Sequence, residues 1–321
     1  MRTQHSRDIF FYDIRIVPDP PAAPRKSMRA IAALIGRLHE ERLTVRWDRS
    51  KTHKTYLRDF TIDEQNGVIW LLLCSADAHA PGASFMHLET DDQRDEEKRD
   101  GEGRPETSHL LIKSTETNAG SSQYLALFEE SSRFPRIDVE RYLNFLLRQT
   151  AKSYKDEYLY PAPSGERLAD GKPKMIRFQN SATVSGHLSN DFKADIEAGT
   201  LRGVSLVTSD TTNFGFGETK RLTPVEKQIK LKVSGSWKEN SAQLIADALT
   251  IGKTNKLEKA RIVFATSDKV AHTAMIDTEN GNVLNDGYIK KVRLNANEIM
   301  LPEASRRFVP LLQERMLALM S

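Results

Sequence analysis

The stretch from Arg42 to Arg58 concentrates groups that recognise polyanions. Arg42, Arg46, Arg49, Lys51, Lys54 and Arg58 are interleaved with Trp47, His53 and Tyr56, against the single acid Asp48. Guanidinium and ammonium groups neutralise phosphates, and aromatic rings give bases a stacking surface. A hairpin carrying both suits a single strand or a nucleic-acid backbone, DNA or RNA alike. The plain alternative is a solvated strand–loop–strand with Trp47 anchored in the core. Further cations fall at Lys253, Lys256, Lys259 and Arg261, and at Lys290, Lys291 and Arg293. A looser group comprises Lys220, Arg221, Lys227, Lys230 and Lys232. These extend the first cluster into an electropositive track only if they share its face.

Residues Glu89 to Glu106 reverse the sign. Glu89, Asp91, Asp92, Asp95, Glu96, Glu97, Asp100 and Glu102 dominate over Arg94, Lys98, Arg99 and Arg104. Such a segment suits a protein partner, or covers a basic surface as a nucleic-acid mimic; otherwise it is a soluble polyampholyte loop. Metal ligation has candidates in Asp77, His79, His87 and Glu89, with Asp91, Asp92 and His109 nearby. Carboxylates and imidazoles suit Mg²⁺, Mn²⁺ or Zn²⁺, but the spacing matches no template such as His-Glu-x-x-His. Glu96-x-Lys98 resembles the end of a nuclease Asp…Glu-x-Lys motif, a tripeptide that a run this charged yields by chance. Asp77 and His109 are the candidate catalytic groups of a metal-dependent nuclease, His109 as general base or phosphate partner. An ordinary structural hydrogen bond is the alternative for His109. No cofactor is expected otherwise.

Two phosphate-loop lookalikes carry nothing. Gly252-Lys253-Thr254 resembles the end of a P-loop, but Asp247 occupies the position of its first glycine, and the segment follows a helix rather than a strand. Gly215-Phe216-Gly217 lacks the third glycine of a dinucleotide fingerprint. No Gly-x-Ser-x-Gly elbow occurs.

Elements must position these groups. Ile9–Val17 alternates apolar and charged residues, as a strand with one wet face does. Pro18, Pro20, Pro21 and Pro24 make a stiff connector. Ser27 is placed to cap a helix from Met28 to Leu43 whose stripe is Ile31, Leu34, Ile35 and Leu38. Strands follow at Leu43–Trp47, Tyr56–Ile62 and Val68–Cys74; the last is continuously apolar and therefore central, and Asn66-Gly67 turns into it. Residues 78–107 carry no periodicity and are expected as a long loop. Ser108–Ser114 and Gln123–Glu129 form a second strand pair, and Asp138 is placed to cap a helix carrying Tyr142, Leu143, Leu146 and Leu147. Beyond residue 174, strands are expected at Met175–Val184, Thr200–Thr208, Gln228–Val233, Ala260–Ala265, Thr273–Asp277 and Tyr288–Leu294. Helices are expected at Asn190–Ala198, Ser241–Ile251 and Pro302–Met320, with Pro310 kinking or restarting the last. Glu279 to Asn282 forms a turn.

The fold class expected is α+β: two mixed modules, each a largely antiparallel sheet packed by amphipathic helices. Residues 1–153 form the first domain, 154–174 a linker and 175–321 the second. The chain of 321 residues is 39% hydrophobic and 28% charged, with a net charge of +3. That composition supports real cores and permits an anionic partner without demanding one. The single cysteine, Cys74, excludes an internal disulfide. No apolar run approaches the roughly 20 residues of a membrane helix, and Arg7 and Asp8 interrupt any secretory signal. These features point to a cytoplasmic protein with no membrane contact. Its expected function is a non-catalytic nucleic-acid-binding module of a larger assembly. An adaptor using the loop 89–106, or a metal-dependent nuclease, is the alternative.

Overall fold

A computed structural model describes residues 5–131, 134–187, 200–208, 227–232, 241–265, 271–278, 281, 289–296 and 300–320. The expected helix Asn190–Ala198, the Gly215 loop, Lys220, Arg221 and most of the turn at Glu279 lie outside them. The elements run β1 (Ser6–Asp19), α1 (Met28–Glu40), β2 (Arg46–Trp47), β3 (His53–Asp63), β4 (Val68–Asp77), β5 (Ala83–Met86), β6 (Gln93–Glu96), β7 (Arg104–Lys113), β8 (Gln123–Glu129) and α2 (Arg136–Ser153). There follow β9 (Leu159–Pro161), β10 (Met175–Arg177), β11 (Gln179–Gly186), β12 (Thr200–Thr208), β13 (Lys227–Leu231), α3 (Ser241–Thr254), β14 (Lys259–Ala265), β15 (Ala271–Asp277), β16 (Lys291–Asn295) and α4 (Pro310–Met320). The protein is α+β with mainly antiparallel sheets. Among the described residues no helix is long and apolar enough to cross a membrane.

Two compact units divide the chain. Met1–Phe10, Ile14–Val184 and Val292–Ser321 form the first; Phe11–Asp13 and Ser185–Lys291 form the second. Residues 154–174, expected as a linker, group with the first unit and bury Tyr154, Tyr158 and Tyr160.

The first unit is built on an eight-stranded sheet in the order β11-β1-β8-β7-β4-β3-β2, with β16 also on β1. The pairs β2–β3, β3–β4, β4–β7 and β7–β8 are antiparallel. β4 lies inside this order, and every residue from Val68 to Ser75 is buried, as its unbroken apolar run requires. The turn into it closes at Asp63 opposite Val68, with Gly67 at φ 65°, a left-handed conformation that glycine adopts without strain.

One sheet face carries Phe60, Ile69, Leu71 and Ile112 against Ile31 and Ile35 of α1 and Leu143 and Leu147 of α2. Ser27 caps α1 as its sequence suggests, its Oγ accepting the Ala30 amide at 3.2 Å. α2 begins two residues before Asp138, which sits instead in the first turn, where a carboxylate suits the helix N-terminus.

The other face is covered by a strap that sequence periodicity misses. Residues 301–309 are not the first half of a helix; α4 starts at Pro310, whose missing N–H costs nothing at a helix start. The strap is held by backbone bonds that a helix would have kept for itself. Arg7 donates from Nη2 to the carbonyls of Leu301 and Pro302, at 2.9 and 3.0 Å. Thr107 N–H donates to Glu303 O at 3.0 Å, Ser305 N–H to Thr107 Oγ1 at 2.9 Å, and Val309 N–H to His109 Nε2 at 3.0 Å. Phe308 then packs edge-on against Trp70.

Arg7 and His109 are themselves oriented by buried Glu129. Its carboxylate accepts from Arg7 Nε at 2.7 Å, from His109 N–H at 3.1 Å and from His109 Nδ1 at 2.7 Å. Because Val309 N–H donates to Nε2, the ring proton resides on Nδ1. A buried ion pair that loses one partner leaves an uncompensated charge. Glu129→Ala is therefore expected to cost about 3–5 kcal/mol, read as a lower urea midpoint in equilibrium unfolding.

The second unit contains the antiparallel sheet β13-β12-β14-β15. α3 packs on it through Ile245 and Leu249 against Ile262, Phe264, Ala274 and Ile276. Gly252 on α3 makes this approach fit, since a Cβ there would lie 2.5 Å from Thr278 Cγ2. The glycine of the P-loop lookalike thus sits inside a helix for packing reasons.

Candidate nucleic-acid interface

The basic hairpin forms at the β2 edge of the first unit's sheet. Tyr142 of α2, buried and with its phenol pushed up by that burial, donates to Thr44 O at 2.7 Å and fixes the chain just before β2. Arg42 turns the chain out of α1 in a left-handed conformation, φ 59°. The loop 48–52 is tied by one carboxylate. Asp48 Oδ1 accepts from the amides of Thr52 and His53 at 2.9 and 3.1 Å, and Oδ2 from Ser50 Oγ at 2.5 Å. These bonds, Ser50's foremost, lower the Asp48 pKa to about 2. Arg49 and Lys51 stand exposed on this loop.

Strand alternation sorts the rest. The register pairs Trp47 with Lys54 and Arg46 with Thr55, so the hairpin's cations divide between two faces. On one face Lys54 Nζ lies 5.5 Å from the Trp47 ring centroid and 4.9 Å from that of Tyr56. A bulge between Leu57 and Asp59 aims Arg58 at the same ring, its Nη1 donating to Tyr56 Oη at 2.5 Å. Burial outweighs the neighbouring cation and raises the Tyr56 phenol to about 12, so it stays a neutral hydroxyl. Trp47 is 50% exposed and is not a core anchor.

On the opposite face Arg46, His53 and Thr55 line a pocket of about 220 Å³ together with Asp48, Phe134 and Asp138. His53 Nε2 shares a 2.8 Å hydrogen bond with buried Ser75.

The other cationic groups lie on other elements. Lys253, on the last turn of α3, and Lys256, in the turn after it, are exposed. Lys259 and Arg261 alternate with buried Ala260 and Ile262 on β14 and so point to the sheet face away from α3. Lys290 Nζ lies 4.2 Å from the Phe11 ring centroid, and Lys291 opens β16. These six belong to the second unit. Arg293 belongs to the first and forms a fork with Asp8, Nε to Oδ1 at 2.7 Å and Nη2 to Oδ2 at 2.8 Å.

The candidate ligands and bases are engaged locally. Asp77 Oδ1 accepts the His79 amide at 2.8 Å, and His87 Nδ1 accepts the amides of Glu89 and Thr90 at 3.3 Å each. His109 spends both ring nitrogens on Glu129 and Val309. Lys98 reaches back to Ala78 O at 2.5 Å, away from Glu96 at the end of β6. Among the described residues no three His, Cys, Asp or Glu side chains gather to hold an ion. Residues 78–107, expected to be a patternless loop, contain the antiparallel pair β5–β6 and the start of β7 at Arg104.

One pairing escaped sequence reading. His187 Nδ1 lies 3.0 and 3.2 Å from the two oxygens of buried Asp13, while the ring is about one-third exposed. Asp13 is one of several charged residues on β1, and its partner lies 174 residues away.

Comparison with protein-family models, curated proteins and solved structures gives no match.

The Asp8–Arg293 fork sets a pH signature. Arg293's hydrogen bonds hold the Asp8 carboxyl well below its ordinary value of 3.8. A carboxylate depressed in the folded state stabilises it above the unfolded pKa, and that contribution disappears as pH falls toward the folded one. The stability difference between wild type and Asp8→Asn should be constant from about pH 7 to 5 and shrink below about pH 4, measured by urea unfolding across pH.

Proposed function

We propose that this protein binds nucleic acid through the hairpin Arg46–Arg58, as a non-catalytic module of a larger intracellular assembly. The observation that carries the reading is one hairpin face on which half-exposed Trp47 stands beside partly buried Lys54, Tyr56 and Arg58. An aromatic ring set among cations offers a base a stacking surface while the cations hold the flanking phosphates. Arg49 and Lys51 extend the positive surface around the loop. The two units are taken as separate α+β modules, with the hairpin in the first.

Fluorescence anisotropy with labelled single strands and duplexes of DNA and RNA, titrated with salt, tests this. Lys54→Ala should weaken binding to all sequences alike and flatten the log K against log[salt] slope by about 0.7–0.9. Trp47→Ala should cost about 1–3 kcal/mol for single strands. Absence of binding at low salt overturns the reading.

A protein partner is a second reading, favoured by the β5–β6 arm. Phe85, Met86 and Leu88 are exposed there at 50%, 57% and 92%, beside the acidic run. Removing residues 83–97 should then abolish recovery of a defined partner while leaving hairpin binding intact. Unchanged recovery argues against the arm.

A further inference from the structure

The pocket behind the hairpin has a composition that selects its ligand. Its charged lining is mixed: Arg46 on β2 against Asp48 and Asp138, with His53, Thr55 and Phe134 completing the wall. Asp48 is consumed by the loop, where it accepts from Thr52, His53 and Ser50. Asp138 is engaged through Oδ1 with Arg141 at 3.1 Å, leaving Oδ2 toward other donors. The Arg46 guanidinium has no hydrogen-bond or ion-pair partner among the described residues. A free anion entering here meets two carboxylates, and a free cation meets the guanidinium. A neutral ring with an acceptor edge and a donor edge satisfies both signs, and Phe134 supplies an apolar wall.

Size narrows the choice further. About 220 Å³ is below the roughly 300 Å³ at which pockets begin to hold drug-sized ligands, so the occupant is one small ring system. Guanine presents O6 and N7 as adjacent acceptors for a guanidinium fork. It also presents N1–H and N2–H₂ as adjacent donors for a carboxylate. No other standard base offers both pairs.

We infer that the pocket holds one unstacked guanine, with Arg46 on its O6/N7 edge and Asp138 accepting from N1–H and N2–H₂. Delivery of that base by a bound strand rests on the hairpin reading, because the same β2–β3 pair carries the cation–aromatic face on its other side. Splayed bases read on their edges are the usual route to sequence preference in single strands.

The test uses the full chain and two probes: free guanosine, followed by calorimetry, and single strands identical except for G, A, C, U or an abasic site at one central position. The G strand should bind roughly tenfold to hundredfold tighter than the abasic strand. Arg46→Lys, which keeps the charge but loses the fork, and Asp138→Asn should each erase that preference while keeping abasic affinity. Lys54→Ala should weaken both strands equally. Equal affinity for G and abasic strands, preference for another base, or an Arg46→Lys loss shared by the abasic strand overturns the assignment. If guanosine binds in an Arg46-dependent way but no strand does, the pocket stands and the hairpin reading falls. If neither probe binds, both fall. Unchanged urea midpoints establish that the variants are folded.

Discussion

One buried carboxylate governs the larger unit. Glu129 is desolvated, and such a charge persists only if every oxygen is met by a donor. Arg7 and His109 meet it, and in doing so they are turned so that their remaining groups face the strap 301–309. The strap's backbone is satisfied by side chains rather than by a helix. It thereby covers the second face of the sheet, and this is why β4 must be apolar on both sides. Removing the carboxylate would leave a guanidinium, an imidazole and several carbonyls and amides without their arrangement.

The hairpin inherits its position from that rigid centre. β3 pairs with β4 along its length and β2 hangs on the far side of β3, so the cation–aromatic face is held by a strand that is buried from Val68 to Ser75. Tyr142 fixes the entry, Asp48 fixes the loop, and the bulge at Arg58 recruits one more cation to the Tyr56 ring. The two faces then differ in kind. One is open and positive; the other is a recess of mixed charge against α2.

Features fixed by local chemistry were legible in the residues. The Ser27 cap, the Asn66-Gly67 turn and the buried run Val68–Cys74 each depend on neighbours within a few positions, and each is found in the structure. Features fixed by distant partners were not. Pro302–Met320 has helical periodicity, but Arg7 and His109 take its first half as a strap. Tyr154, Tyr158 and Tyr160 lie in a Pro- and Gly-rich stretch that looks like a linker, and they are buried with Phe178. The Arg42–Arg58 cations form one cluster on paper; period-two alternation parts Arg46 from Lys54. Phe134 and Asp138 carried no sequence signal for a pocket because the hairpin that completes it lies some eighty residues earlier.

The strap also imposes an order of events during synthesis. Arg7 donates to carbonyls 294 and 295 residues further along the chain. At roughly 5–20 residues per second, a ribosome takes about 15–60 s to deliver them. Glu129 emerges well before that and can neutralise Arg7, but the face bearing Trp70 and His109 stays uncovered until the strap arrives. The nascent chain therefore passes through a long interval with its main sheet half dressed, a window in which a holding chaperone has an apolar surface to bind.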